Sequence, residues 1–196
     1  MAWSWDDFSA ELGRVLDDED ADNPAHSEAS RLDGLNAALR AMLAYRPLQA
    51  VSQHTKVSQI AWPADCYRIS ALMVTDERDN VSATSEVRVG EWNGYWAWNG
   101  MIHLEETVEA ATLYYQAYYP LMAVNAADIP VPLWAREAVV YRAAAHCLAP
   151  NMISRARLGA FHDRQDAPPL ANSLIQAADW LIAQFERIMT EHKHAG

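Results

Sequence analysis

Apolar residues first fall into step at Trp5, Phe8, Leu12 and Val15, spacings of three and four that predict an amphipathic helix ending near Leu16. Ser4 precedes the run and Asp7 follows three positions later, the arrangement of an N-cap with a weak capping box. A second stripe, Leu32, Leu35, Leu39, Met42 and Leu43, predicts a helix over about 27–45, with Pro47 stopping it. The two helices are expected to pack as an antiparallel pair.

The period changes near Leu48. From there to Tyr119 the chain is rich in Val, Thr, Ile, Trp and Tyr, and 81–89 alternates as a strand does. Asn93-Gly94 and Asn99-Gly100 read as turns. The second is the clearer hairpin signal: Asn-Gly favours the positive φ of a two-residue turn, and here it joins Tyr95–Trp98 to Met101–Leu104. Thr112–Tyr119 reads as a further strand closed by Pro120.

Helical spacing returns after the extended stretch Ile129–Leu133. Pro132 or Leu133 opens a helix that Pro150 should break near Ala149, a shorter helical stretch runs to about Arg164, and a last helix covers about 172–192. The last carries Leu174, Ile175, Ala178, Leu181, Ile182, Phe185 and Ile188 on one face. The expected fold is α+β: a helical bundle built from both chain ends, 1–47 and 121–196, with 48–120 as an inserted β-rich subdomain, one domain overall.

Charge changes the picture more than size does. The chain has 196 residues, 51% of them hydrophobic, enough for one core, and its net charge is −11. Residues 1–33 hold ten acids against Arg14 and Arg31, so eight of the eleven net negative charges lie there. An acidic balance argues against a protein that grips nucleic acid, because phosphate binding needs a surplus of Lys and Arg. The densest stretch, Asp17, Asp18, Glu19, Asp20 and Asp22, is either a solvated loop or a rim that repels DNA or attracts cations. It lacks the Gly and distant Glu of an EF-hand loop, so it is expected to be neither core nor metal site.

Cys66 and Cys147 have no metal-type spacing and are expected to be buried free thiols. No targeting segment is read at the start, and no apolar run is long enough for a membrane helix.

Candidate chemistry is thin. The chain shows no nucleophile motif, phosphate-cradling loop or zinc signature, and its seven histidines are scattered, so no enzyme, metal or cofactor is expected. Trp92, Tyr95, Trp96 and Trp98 are the most unusual local feature. On a strand Trp96 and Trp98 share one face and Tyr95 takes the other, giving a core contact or a partner or subunit interface, or else a platform on which a sugar or a nucleobase stacks, the nucleobase discounted by the acidic balance. The second option is a competing reading, a carbohydrate-binding or receptor-facing module. Arg142, Arg155, Arg157 and Arg164 make a locally basic region, available to acids of a neighbouring copy or simply exposed.

Three stretches resemble the head-to-tail connector, or adaptor, proteins of tailed bacteriophages: Leu35-Asn36-Ala37-Ala38-Leu39-Arg40; Trp62-Pro63-Ala64-Asp65-Cys66-Tyr67-Arg68-Ile69; and the run from Leu113 through Tyr118-Tyr119-Pro120 and Asp128-Ile129-Pro130 to Trp134 and Glu137-Ala138. The resemblance is one of residue type and order over most of the chain. It implies a structural protein of the virion neck, assembled in the host cytoplasm: a ring of about twelve copies below the portal, through which genomic DNA passes without specific binding. Its implied partners are further copies, the portal and a tail or stopper protein, with no membrane. Family members commonly dock through C-terminal segments, so Arg187, Ile188, Met189, His192 and Lys193 are the expected portal-docking residues, and Asp17–Asp22 an expected channel rim. The Trp-rich hairpin and the acidic loop match no motif of the family.

Overall fold

The computed structural model describes residues 2–18, 20, 24–75, 81–84, 95–162 and 173–192. They form two compact units, one of Met1–Arg46 with Leu121–Gly196 and one of Pro47–Pro120.

The first unit is helical. α1 (Trp5–Leu16) is capped by Ser4 in a full capping box, Asp7 N–H donating to Ser4 Oγ and Ser4 N–H donating to Asp7 Oδ2. It ends at Asp17 in the left-handed conformation, φ 53°. α2 (Glu28–Met42) is capped by Ser27, and a 3-10 turn at Leu133–Ala135 leads into α3 (Arg136–His162). α4 (Ser173–Glu191) follows.

The central helix is α3. α1, α2 and α4 each pack on it, and its run of small residues, Ala138, Ala143, Ala144 and Ala145, lets them approach closely. The expected antiparallel pairing of α1 with α2 is thereby corrected: both lie chiefly against α3. Gly34 marks the tightest crossing, where a Cβ would sit 3.0 Å from the Ala143 carbonyl oxygen and 3.2 Å from Cys147 Sγ. Pro150 does not break α3, which continues to His162. A proline within a helix costs about 3 kcal/mol, yet α3 runs on through it as the helix on which α1, α2 and α4 pack. Asn36 ties α2 to the segment after Pro120, accepting from Met122 N–H at 2.8 Å and donating back to its carbonyl.

The second unit is a sheet. Its strands are β1 (Leu48–Ala61), β2 (Cys66–Thr75), β3 (Val81–Thr84), β4 (Tyr95–Trp98) and β5 (Met101–Ala117), in the order β1-β5-β2-β3 with β4 also on β5, all antiparallel. The Asn-Gly signal is a two-residue turn: Trp98 pairs with Met101, and Asn99 and Gly100 have φ 50° and 74°. Thr112–Tyr119 is not a strand of its own. It is the second half of β5, which crosses the charged stretch around Glu106 by taking extra residues between His103 and Val108 opposite Val57–Gln59.

The expected fold class does not hold. A helical bundle carrying an inserted subdomain is replaced by four helices and a curled, five-stranded antiparallel half-barrel sheet, a mixed α/β structure. The reason is strand length. β1 and β5, at 14 and 17 residues, are long enough for the sheet to curl and bury an inner face of its own, including Ile60, Leu72, Val74, Ile102, Val108 and Leu113.

Candidate functional site

The acidic loop contains the one charged side chain among the described residues that is buried. Asp18 is 6% exposed, and its carboxylate accepts from Ala25 N–H at 2.7 Å, His26 N–H at 3.0 Å, His26 Nδ1 at 3.1 Å and Arg31 Nη2 at 2.9 Å. Arg31 also donates to Ser9 Oγ at 2.9 Å, so one guanidinium links α1, the loop and α2. Burial raises the Asp18 pKa, but these donors outweigh it and hold the carboxyl at about 2. The expectation that Asp17–Asp22 stands wholly outside the core is corrected at Asp18. Asp17 and Asp20 are exposed; Glu19 and Asp22 lie outside the described residues.

An open cleft of about 500 Å³ runs beside this knot, lined by Trp5, Ser9, Arg14, Asp18, His26 and Arg31 among others. Its chemistry is already committed. The pairing of Asp18 with His26 resembles the acid that orients a catalytic histidine, yet His26 Nε2 is buried with no hydroxyl or thiol to activate, and Ser9 Oγ is held by Arg31 instead. Cys66 and Cys147 are free and buried, and burial pushes both thiols up, away from the reactive thiolate. Among the described residues no group of three His, Cys, Asp or Glu is placed to hold a metal ion.

The sheet presents a different kind of surface. Its outer face is built from rows that cross β1, β5 and β2: Gln49–Gln116–Arg68, Val51–Tyr114–Ala71, Gln53–Thr112–Met73 and Thr55–Ala110–Thr75. Arg68 is the only charge in these rows. Val51, Tyr114 and Met73 are 54%, 38% and 36% exposed, a neutral, partly apolar surface on a chain whose charge is −11. Depletion of charge with enrichment in Tyr and Met characterises the centre of protein interfaces. At one end of the unit, exposed Tyr67 and Tyr118 meet edge to face, ring centroids 5.5 Å apart.

Of the tryptophan cluster, Trp98 is 71% exposed beside the hairpin turn, while its neighbour Ala97 is buried. Tyr95 and Trp96 sit on β4, paired with Leu104 and His103, and Trp92 lies outside the described residues.

The C-terminal residues divide. Arg187 is exposed and forms an i,i+4 ion pair with Glu191 at 3.0 Å. Ile188 and Met189 are buried, 7% and 0% exposed, so they are core of the helical unit rather than docking residues; the amphipathic period of α4 turns them inward beside Phe185 and Leu181. His192 stacks on Trp134, centroids 4.6 Å apart, with the Arg46 guanidinium 5.9 Å from the same ring. Lys193 lies outside the described residues.

No family model and no curated protein matches this chain. The residues that sequence reasoning passed over are those of the outer sheet face. Their signal was present as the alternation of Gln, Thr and Tyr with apolar residues in β1 and β5, which reads as an ordinary solvated face until the register aligns the rows.

Proposed function

We propose that the chain is a structural head-to-tail adaptor of a tailed-bacteriophage neck, forming a ring below the portal through which DNA passes and on which tail components dock. The observation that carries this reading is the neutral outer face of the sheet, a surface suited to another protein. The three stretches that resemble connector proteins support it, Asn36 and Met122 bonding to each other between two of them. The acidic balance suits a channel wall that DNA must traverse without adhering. The exposed Asp17 and Asp20 would face that channel. Portal docking falls to exposed groups of α4 such as Arg187, together with Trp180, which is 55% exposed.

The test is native mass measurement and electron microscopy of the purified protein, alone and with portal. Rings seated on the portal are the expected result. A chain that joins neither portal nor further copies would reject the reading. The exposed indole of Trp98 favours a second reading, a stacking platform for a sugar ring. Quenching of its fluorescence by glycans, abolished in Trp98→Ala, would favour that module instead.

A further inference from the structure

We propose that β1 is a subunit edge, completed by a strand of a second copy so that the sheet continues from one molecule into the next. The proposal deepens, and rests on, the ring reading above.

Among the described residues β1 pairs only with β5, leaving a 14-residue edge, roughly 45 Å long at the rise of an extended strand. Edge strands ordinarily carry protection: proline, charges, bulges or short length. β1 has no proline, and its one charge, Lys56, and the register shift beside it are confined to 56–59, so Leu48–Thr55 carries no such device.

Burial is the second observation. On the inner face, rows again cross three strands: Leu48–Ala117–Cys66, Ala50–Tyr115–Ile69, Ser52–Leu113–Leu72 and His54–Ala111–Val74. The β5 members are all buried, and three of the four on β2 are too. Every β1 member is only half-buried. The core is therefore closed on the β2 side and open at β1. The two polar residues there bond to each other, Ser52 Oγ and His54 Nε2 lying 2.6 Å apart.

The occupant follows from charge and direction. A second copy of a chain with net charge −11 is repelled wherever acids gather; along β1, two copies meet without opposing any like negative charge. In the path β1-β5-β2-β3 each neighbour is antiparallel, so the end strands β1 and β3 run in opposite directions. A rotation axis running along the strands would therefore bring β3 of one copy, Val81–Thr84, antiparallel to part of β1 of the next. Such a contact is head-to-tail, and where its rotation closes it makes a ring rather than a pair.

The experiment is sedimentation of the full chain from micromolar to millimolar concentration, alone and with portal, joined to amide hydrogen exchange of the assembled species. The expected result is an assembly larger than twice the 21.9 kDa monomer. Exchange along 48–61 should slow at least roughly tenfold in it. Val51→Lys with Gln53→Lys, both at exposed outer positions, should leave the circular dichroism unchanged and the protein monomeric. Ser58→Lys, farther along the same edge, decides the matter if the double variant fails to fold. An assembly in which β1 exchanges as fast as in the monomer overturns the edge while leaving the adaptor reading intact. One that stops at a dimer overturns the head-to-tail contact. A chain that is monomeric under every condition sinks the ring itself.

Discussion

Arg31 Nη2 lies 2.9 Å from Asp18 Oδ2, and both side chains are largely withdrawn from water, 13% and 3% exposed. Thirteen residues separate them in sequence. The pair ties the end of α1 to α2. Asp18→Asn keeps the shape but leaves Arg31 without its counter-charge, and should destabilise the protein by about 3 kcal/mol, as expected for a broken buried pair. Asp17→Asn, at an exposed position, should change stability by less than about 0.5 kcal/mol. Thermal melts of the two variants beside wild type make the comparison.

The same carboxylate gives a pH dependence with a definite sign. Its pKa is lowered from 3.8 to about 2 in the folded protein, so the unfolded chain takes up this proton more readily than the native one. Its contribution, on the order of 2 kcal/mol, is fully present above pH 3.8 and is lost as the pH falls toward 2. Denaturant titrations across that window should show a steeper loss of stability in wild type than in Asp18→Asn. Parallel curves would show that other carboxylates dominate the acid transition.

Gly34→Ala places a methyl group 3.0 Å from a backbone oxygen of α3. A backbone atom cannot swing aside, so α2 and α3 must separate slightly. A loss of about 1–3 kcal/mol is expected, as for overpacked cores, despite alanine's better helix propensity. A variant as stable as wild type would mean that the crossing relaxes freely.

Truncation should discriminate sharply between two points near the C-terminus. Removing 193–196 leaves the stack of His192 on Trp134 in place and should not move the melting temperature. Removing 187–196 also deletes Ile188 and Met189 from the core. Core deletions of this size cost about 2–5 kcal/mol each, so the shorter protein should lose most of its cooperative melt. Docking to portal therefore has to be tested with surface changes such as Arg187→Glu, which leave the core intact.

Local rules carried the sequence reading wherever the controlling groups are neighbours. Ser4 with Asp7, and Asn99 with Gly100, act within four residues, and both formed as read. Long-range satisfaction was invisible: Asp18 differs from Asp17 only because Arg31 and His26 come back to it, and nothing in an acidic run marks which carboxylate will be buried. β5 reads as two strands because Glu106 and Glu109 interrupt its alternation, whereas the strand passes Glu106 in a bulge and runs on in register past Glu109. Pro150 reads as a stop because a proline ordinarily breaks a helix, yet α3 runs on through it. The candidate interface was the least legible part, since a neutral face emerges only when Gln53, Thr112 and Met73 are brought side by side from three strands.

Lys56 stands in β1 with φ 50°, a left-handed residue inside a strand, next to the register shift between Val57 and Gln59. The longest open edge of the sheet is therefore not straight: it changes direction at its one charged residue. A flat edge of this length is a template for fibrils, copies stacking without limit at the 4.7–4.8 Å repeat of cross-β structure. A bent one accepts a partner that bends with it and rejects a straight stack. The irregularity at Lys56 thus disfavours straight, unlimited stacking along this edge.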